Sequence, residues 1–445
     1  MRLALLVLLA LSPATADDRA ETPAADESES TRVERREIEP EFGDEPTELR
    51  EPQDSYTVSL DPNLSLETGA HLTRDVATLF GALEARVTPF IERGPAAVPI
   101  RLVRTALLDY PLATWLVILQ HEAFGHGGRA REFGSTAEIH MGSPWGGRDS
   151  YASFTTSGLS TDDFLRIYTG GSESNGWSAT LLEREIVAGR PMRSFELIYM
   201  IRSRFVVSQY VLFTTPDPED DPVGFYGEWL GGGDVANYLG YLNERNFGDA
   251  GITPTGASST VVDEYRRLER QAYWNALDPG LWIAAWTVVR RAFTGDELAP
   301  LPLPRIGGRP FLPILTADWL PSGGVISIES VFGRKDGSSS GPSWFSFTAR
   351  RGSGPEGPFG ALGAATERFW ESRRYRLGGE AELWNEPDGD FGGGARLRLL
   401  RTAGAWRGIF LDVGAKSRGH WPGRPAESGV FVQIGLYSSM VDSDR

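Results

Sequence analysis

Residues 112–129, LATWLVILQHEAFGHGGR, hold an apolar run followed by two histidines that flank a glutamate. The run over residues 112–119 predicts a buried helix within residues 99–129, and the glycines at 127 and 128 favour its ending there. Apolar residues at three- and four-residue spacing predict further helices over residues 73–91, 177–187, 194–212 and 261–292, the last with a break at residues 278–280. Residues 57–300 are therefore expected to form a mainly helical domain.

Beyond residue 300 the pattern changes from helical spacing to alternation. Short alternating runs lie over residues 324–331, 343–349, 375–384, 395–400, 405–413 and 429–437, separated by turn residues. Residues 301–445 are expected to form an antiparallel β-rich domain, a sheet or a small barrel, so the predicted fold class is α+β. The same alternation suits an outer-membrane β-barrel, but the uneven run lengths favour a soluble sheet or small barrel.

The N-terminal residues carry the features of an exported protein. Residues 1–16 combine Arg2, a short apolar run and a small-x-small cleavage site at residues 14–16, which predicts a signal peptide. Residues 17–56 are acidic, interrupted by proline and poor in large apolar residues, which predicts a disordered linker. We expect the protein to lie in the periplasm or outer membrane of a bacterium.

Composition excludes several classes of function. The 445 residues include 60 acidic and 44 basic residues, a net charge of −16, so nucleic acid is not the expected partner, because phosphate binding needs a basic face. The chain has no cysteine, which excludes disulfides, thiolate metal sites and cysteine nucleophiles.

The two closely spaced histidines point to metal chemistry. In the pattern H-E-x-x-H, both histidines bind one zinc ion from the same helix face and the glutamate activates water. Here His121 and His126 are five residues apart, which places them about 140° apart on an ideal α-helix. A π-bulge adds one residue to a turn and would bring them together, and Gly125 makes such a bulge plausible. The predicted metal site therefore depends on a local π-distortion.

This motif resembles the His-Glu-x-x-Gly-His signature of the dipeptidyl peptidase III family of zinc exopeptidases, with which His121, Glu122, Gly125 and His126 agree. The resemblance covers six residues. It implies that His121 and His126 bind Zn²⁺, that Glu122 is the general base, and that the helical domain is zincin-like. The family's third ligand lies in a Glu-Glu-x-Arg-Ala motif, a string that does not occur in this chain.

A third metal ligand is expected from the next helix, in the gluzincin arrangement of two histidines from one helix and one glutamate from another. Glu173 follows two glycines shortly before the predicted helix over residues 177–187, and we expect it to point toward the histidines. The alternatives are Glu183, Glu185, Glu228, Asp234 and His140.

These residues together predict a zinc-dependent hydrolase, a metallopeptidase, that acts on a peptide or on another amide or ester substrate. The candidates for stabilising an oxyanion are Asn175, Tyr168, Tyr199 and Tyr226, and those for binding a substrate carboxylate are Arg129 and Arg131. The alternative interpretation is a non-catalytic envelope protein, associated with the membrane through an outer-membrane β-barrel-like C-terminal part.

Overall fold

The computed structural model describes residues 54–440 apart from 62, 92–95, 147–149, 297–300, 336–342, 373, 388 and 403–406. Over these residues it confirms the predicted α+β fold, in which helices are followed by a long antiparallel sheet. The expected signal peptide and the expected linker up to residue 53 lie outside the described residues. The last helix ends at Thr294 and the C-terminal strands begin at Arg305, and the division into two domains at residue 300 stays a prediction.

Eight helices lie in the described residues. They are α1 (Leu66–Ile91), α2 (Ala97–Glu132), α3 (Thr161–Val187), α4 (Ser194–Gln209), α5 (Pro222–Gly231), α6 (Asp234–Phe247), α7 (Ser259–Ala276) and α8 (Pro279–Thr294). Helix α2 contains two π-helical segments, Thr105–Asp109 and Gln120–His126, and a third, Tyr210–Thr214, follows α4. The predicted break between α7 and α8 is confirmed, because the Asp278 side chain caps α8 by accepting a hydrogen bond from the backbone N–H of Gly280.

Helix α3 begins earlier than the sequence suggested. Ser160 and Asp163 form a capping box, in which each side chain accepts a hydrogen bond from the other residue's backbone N–H, so the helix starts at Thr161. It then runs through Gly170 and Gly171, although glycine in a helix interior costs about 1 kcal/mol relative to alanine. The reason is a close helix crossing: a Cβ atom on Gly125 of α2 would lie 2.6 Å from Cα of Gly171.

Ten strands form one antiparallel sheet in the order β1-β14-β13-β12-β11-β10-β9-β8-β7-β6. Their bounds are β1 (Asp54–Leu60), β6 (Arg305–Ile306), β7 (Arg309–Leu320), β8 (Gly323–Gly333), β9 (Trp344–Gly354), β10 (Gly357–Glu371), β11 (Tyr375–Asn385), β12 (Phe391–Thr402), β13 (Arg407–Lys416) and β14 (Gly429–Met440). Strands β6 to β14 follow one another as a meander. Over the described residues β1 and β6 stand at the two ends of the order, so the sheet is not closed. Two short hairpins lie elsewhere, β2 (Ala137–His140) with β3 (Tyr151–Phe154) and β4 (Ile252–Thr253) with β5 (Gly256–Ala257).

The sequence missed three of the longer strands of this sheet. Strand β1 begins at Asp54, so the last three residues of the expected linker belong to the sheet, where they pair with β14. Strand β7 contains Pro310 and Pro313, which argue against a strand in sequence alone. Strand β10 has a register shift between Thr366 and Trp370, which interrupts the alternation that a strand prediction relies on.

Helix α3 lies between the other helices and the sheet. Its Arg184 pairs with Glu329 of β8 at 2.7 Å, and the Ser172 hydroxyl donates to Asp318 of β7 at 2.8 Å. On its other sides α3 packs against α1, α4, α6 and the second π segment of α2. Among the described helices, α2 alone is long and apolar enough to cross a membrane by length and composition, and 22% of its most apolar 18-residue window is buried.

Candidate metal centre

The π-helical segment Gln120–His126 brings the two motif histidines together. Nε2 of His121 lies 3.0 Å from Nε2 of His126, and the two rings meet edge to face at 84°. The π-distortion that the five-residue spacing requires is therefore confirmed. Two nitrogens bound to one tetrahedral zinc ion at about 2.0–2.1 Å lie about 3.3 Å apart, which is close to the separation found here.

Asp234 is the acidic residue that the fold places beside these histidines. It is the first residue of α6. Helix α5 ends just before it, and its C-cap residue Gly232 has a left-handed backbone conformation with a φ of 88°. Its Oδ2 lies 2.8 Å from Nε2 of His121, and its Oδ1 lies 3.1 Å from Nε2 of His126. Ligand atoms from all three residues lie within 4.8 Å of one another, so this group could hold a metal ion.

The far side of each imidazole is held by α3. Nδ1 of His126 lies 2.7 Å from the carbonyl oxygen of Ile167, an acceptor, so this nitrogen carries a proton and Nε2 is the nitrogen that could bind a metal ion. Nδ1 of His121 lies 3.1 Å from the Asn175 amide, whose Oδ1 is buried without another partner. A half-turn of that amide would let Oδ1 accept from Nδ1, which gives His121 the same tautomer. Such outer contacts orient histidine ligands in metal sites.

A glycine leaves room at the point where the two Nε2 atoms meet. A Cβ atom on Gly171 would lie 2.5 Å from Nε2 of His121 and 2.7 Å from Nε2 of His126. These distances are too short for a carbon atom, so only glycine fits beside the two imidazole rings at this point. The residues present, two imidazoles and a carboxylate, fit a metal ion in their chemistry.

The electrostatics of the group favour a positive charge between its members. Although burial opposes the charged imidazolium, Asp234 raises the pKa of His126 to about 9. Burial likewise opposes the carboxylate, but His126 and His121 hold the pKa of Asp234 well below its usual range. A proton or a metal cation would meet this need for positive charge.

Glu122 is buried next to the two histidines. Its carboxylate accepts a hydrogen bond from the backbone N–H of Ala152 in β3. Burial raises the pKa of Glu122, the charges of His121 and His126 lower it, and the charge of Asp234 raises it again. The net result is a pKa above the usual range, in a carboxyl group that lies within the field of the metal-binding residues.

The structure does not bring Glu173 to the histidines, in contrast to the sequence prediction. Its Oε1 lies 2.6 Å from Nη2 of Arg129 and accepts from the backbone N–H of Gly423 at 2.8 Å. The early start of α3 explains the difference. The face toward the histidines carries Ile167, Gly171 and Asn175, which recur every four residues, and Glu173 is two residues out of step with that face.

Most of the alternative ligands are engaged elsewhere. Glu183 pairs with Arg204, Glu185 with Arg74 and Arg190, and the ring of His140 stacks on Tyr151. Glu228 lies close enough to Asp234 for that charge, together with burial, to raise its pKa. Of the alternatives considered from sequence, Asp234 is the one in the metal-binding group.

The candidates for contacting a substrate are placed as follows. Asn175 lies behind His121, and the Tyr199 hydroxyl donates to Thr73. The Tyr168 ring lies 6.1 Å from that of His126. Tyr226 is partly buried against the core of α5 and α6. Both arginines are occupied, Arg129 by carboxylates and Arg131 by the carbonyl oxygens of Asn63 and Ala123.

Tyr210 is a neighbour of the site that sequence reasoning missed. It opens the π segment after α4, and its ring stacks on His121 with centroids 5.2 Å apart. Burial raises its pKa well above the usual range, so its hydroxyl remains a donor. Its position depends on a second π distortion, for which the sequence carries no signal comparable to the histidine spacing.

No protein-family model, no curated protein and no solved structure matches this chain. The resemblance to zinc exopeptidases is accordingly confined to the motif.

Proposed function

We propose that this protein is an exported zinc-dependent hydrolase, a metallopeptidase, in which His121, His126 and Asp234 hold the metal ion. The observation that carries the proposal is the convergence of two Nε2 atoms and a carboxylate on a point that Gly171 leaves open. Zinc is favoured because two imidazoles and one carboxylate form the ligand set of many catalytic zinc sites. Export is favoured by the features of residues 1–16.

The metal ion and the residues around it would have separate roles in hydrolysis. A bound zinc ion would supply Lewis acidity at the site. Glu122 would take a proton from the attacking water and return it to the leaving amine. A raised pKa suits a carboxyl group that must both accept and donate a proton. Tyr210, stacked on His121, is the nearest described hydroxyl-bearing ring for the developing oxyanion.

The hairpin of β2 and β3 supports a peptide as the substrate. Both strands pack against the π segment that carries the histidines, and β3 supplies the N–H that contacts Glu122. In its two-stranded sheet each strand has an edge without a strand partner among the described residues. An extended peptide can add to such an edge through main-chain hydrogen bonds. One of its carbonyl groups would then lie next to the His121, His126 and Asp234 group.

Metal analysis combined with peptide hydrolysis tests the proposal on the full chain. We expect the wild-type protein to bind zinc and to cleave a peptide library. His121→Ala should lose the metal, whereas Glu122→Gln should keep it and lose turnover. His140→Ala is the control for metal binding alone, because His140 lies outside the group and its loss should leave the zinc content unchanged. Wild-type protein that stays metal-free after growth with zinc contradicts the proposal.

The second candidate is a non-catalytic envelope protein with a structural metal. It is favoured by the burial of the ligands, since His121 is 2% and His126 is 4% exposed, and closed sites are typical of structural zinc. The two candidates differ in the role of Glu122, which is the general base of a hydrolase but has no catalytic role beside a structural metal. If zinc-loaded wild type cleaves no peptide, amide or ester, and loss of the metal unfolds the protein, the structural role is correct.

A further inference from the structure

The long sheet exposes an apolar face and buries a charged one. Burial alternates strictly along β13: Ile409, Leu411 and Val413 point outward and are 37–52% exposed, whereas Asp412 and Lys416 are 0% and 6% exposed. A sheet with one face in water has the opposite arrangement, with its apolar side on the core and its polar side outward. The face that the sheet exposes is thus the apolar one, which water solvates poorly.

The outward side chains form continuous apolar rows across neighbouring strands. One row consists of residues paired in register: Leu399, Leu411, Ile434 and Leu60. A second row consists of Leu397, Val413 and Val432. We call the outward side chains of β10 to β14 and of β1 the outer apolar face. It spans six adjacent strands, so it is not a chance cluster of surface leucines.

The charges of the sheet are satisfied on its inner side. Arg398 of β12 pairs with Asp412 of β13 at 2.6 Å, and Arg396 pairs with Glu67 of α1 at 2.5 Å. Buried charges need such partners, and here the sheet and the helices supply them to each other. At β12 and β13 charged side chains therefore lie behind an apolar outer face, as in proteins whose strands face lipid.

Helices contact the sheet at both ends of its strand order. At β1, the Thr57 N–H donates to Asp75 of α1 at 2.6 Å. At β7, next to the short end strand β6, Asn275 of α7 bonds both backbone groups of Ala317, accepting from its N–H at 2.7 Å and donating to its carbonyl oxygen at 3.0 Å. An apolar medium offers no hydrogen bonds, so a sheet in lipid needs partners for its edge groups, and the helices supply them at these three groups.

The dimensions of the outer apolar face agree with a bilayer. Strands β11 to β14 have 11, 12, 10 and 12 residues, and a tilted strand needs about 9–11 residues to cross the hydrocarbon layer. Beside β1, α1 continues the surface with an exposed stripe: Leu72, Val76, Leu79, Leu83 and Val87.

The shape of the sheet favours lipid over a second copy of the chain. Strands β7 and β8 contact α3 at one end of the sheet, and the segment before β14 contacts the same helix, with Arg424 lying 5.0 Å from the Trp177 ring. The sheet thus bends around α3, and its outward side chains point in several directions. One flat partner could cover only part of this surface, whereas lipid surrounds it.

We propose that the outer apolar face contacts the acyl chains of a lipid bilayer, with the charged inner face and the helices enclosed behind it. The proposal is independent of the hydrolase function, because none of the metal-binding residues takes part in it.

The chain has no cysteine, so single cysteines can report on this face one position at a time. Val432→Cys places a bimane label at an outward position that is 64% exposed. Glu427→Cys places the same label at an exposed residue close to the start of β14. The full chain is reconstituted into vesicles of phosphatidylethanolamine and phosphatidylglycerol, with or without brominated acyl chains. Leu383→Cys, at an outward position of β11 that is 71% exposed, repeats the measurement if the first variant does not fold.

We expect brominated chains to quench the label at Val432 several-fold more than the label at Glu427, and iodide in the water to show the reverse order. Equal quenching of both labels by iodide overturns the proposal in favour of a water-exposed face. A label at Val432 that neither reagent reaches, in a protein that sediments as a dimer, overturns it in favour of a second copy.

Discussion

Gly171 faces His121 where α3 crosses α2, and a Cβ atom on this glycine would lie 2.5 Å from the Nε2 atom of the imidazole. The absence of a side chain therefore lets the two imidazole rings approach each other at this crossing. If the group holds a metal ion, the glycine is needed to keep its histidines in place, although it donates no atom.

The first prediction concerns this glycine. Gly171→Ala places a methyl group where the two Nε2 atoms converge, so we expect the variant to fold and to lose zinc. Gly176→Ala, on the same helix, is the control, because its Cβ would lie 3.7 Å from the nearest atom, Oδ2 of Asp318. Metal analysis of both variants checks the prediction, and zinc retained at wild-type affinity in Gly171→Ala argues against it.

The second prediction separates the two acidic candidates. Asp234→Asn removes the carboxylate that lies within 3.1 Å of both imidazoles, so zinc binding should be lost. Glu173→Gln should keep the metal and instead lower the free energy of unfolding by about 3 kcal/mol, since buried Arg129 loses a charged partner. Zinc titration and urea unfolding measure the two effects. The opposite pattern would restore Glu173 as the third ligand.

The third prediction concerns the contact behind His121. Asn175→Ala leaves Nδ1 without its hydrogen-bond partner, and loss of such a contact weakens metal affinity by roughly 10- to 100-fold. Thr180→Ala, whose hydroxyl bonds only within α3 and to Arg204, serves as the control and should bind zinc normally. Competition with a zinc chelator gives both affinities, and equal values contradict a positioning role for Asn175.

The fourth prediction is a pH dependence of stability. Burial raises the pKa of Asp318 to about 7, against the hydrogen bonds from Ser172 and the Trp319 N–H. Because this pKa is higher in the folded than in the unfolded chain, the protonated carboxyl stabilises the fold below about pH 4, and this contribution, about 4 kcal/mol at most, is lost as the pH rises to about 7. Asp318→Asn should therefore be the more stable protein at about pH 8, with little difference at about pH 4. Urea unfolding at both pH values gives the free energy of unfolding of the two proteins. An equal difference between them at both pH values contradicts a raised pKa for Asp318.

The sequence was sufficient for the parts of the site that lie within one helix. The five-residue spacing of His121 and His126 demanded an extra residue in the turn, and Gly125 offered a place for it. This inference needed only helix geometry. The α+β fold class likewise followed from the change of period near residue 300, because helical and alternating patterns are properties of local sequence.

The acidic member of the group could not be found in the same way. Asp234 reaches His121 from 113 residues farther along the chain, through the packing of α6 against α3, and no local pattern reports on that contact. The structure places Glu173 beside Arg129 instead, because the glycines at 170 and 171, which in sequence suggest a helix start, lie inside α3. Ser160 and Asp163 begin the helix instead, and the glycines serve the crossing with α2.

X-ray absorption at the zinc edge of the loaded full-length protein tests the central claim most directly. We predict one zinc ion per chain with two imidazole nitrogens and carboxylate oxygen at about 2.0–2.1 Å, and one imidazole fewer in His126→Ala. A protein that takes up no zinc, or zinc bound with fewer than two imidazoles in the wild type, would contradict it.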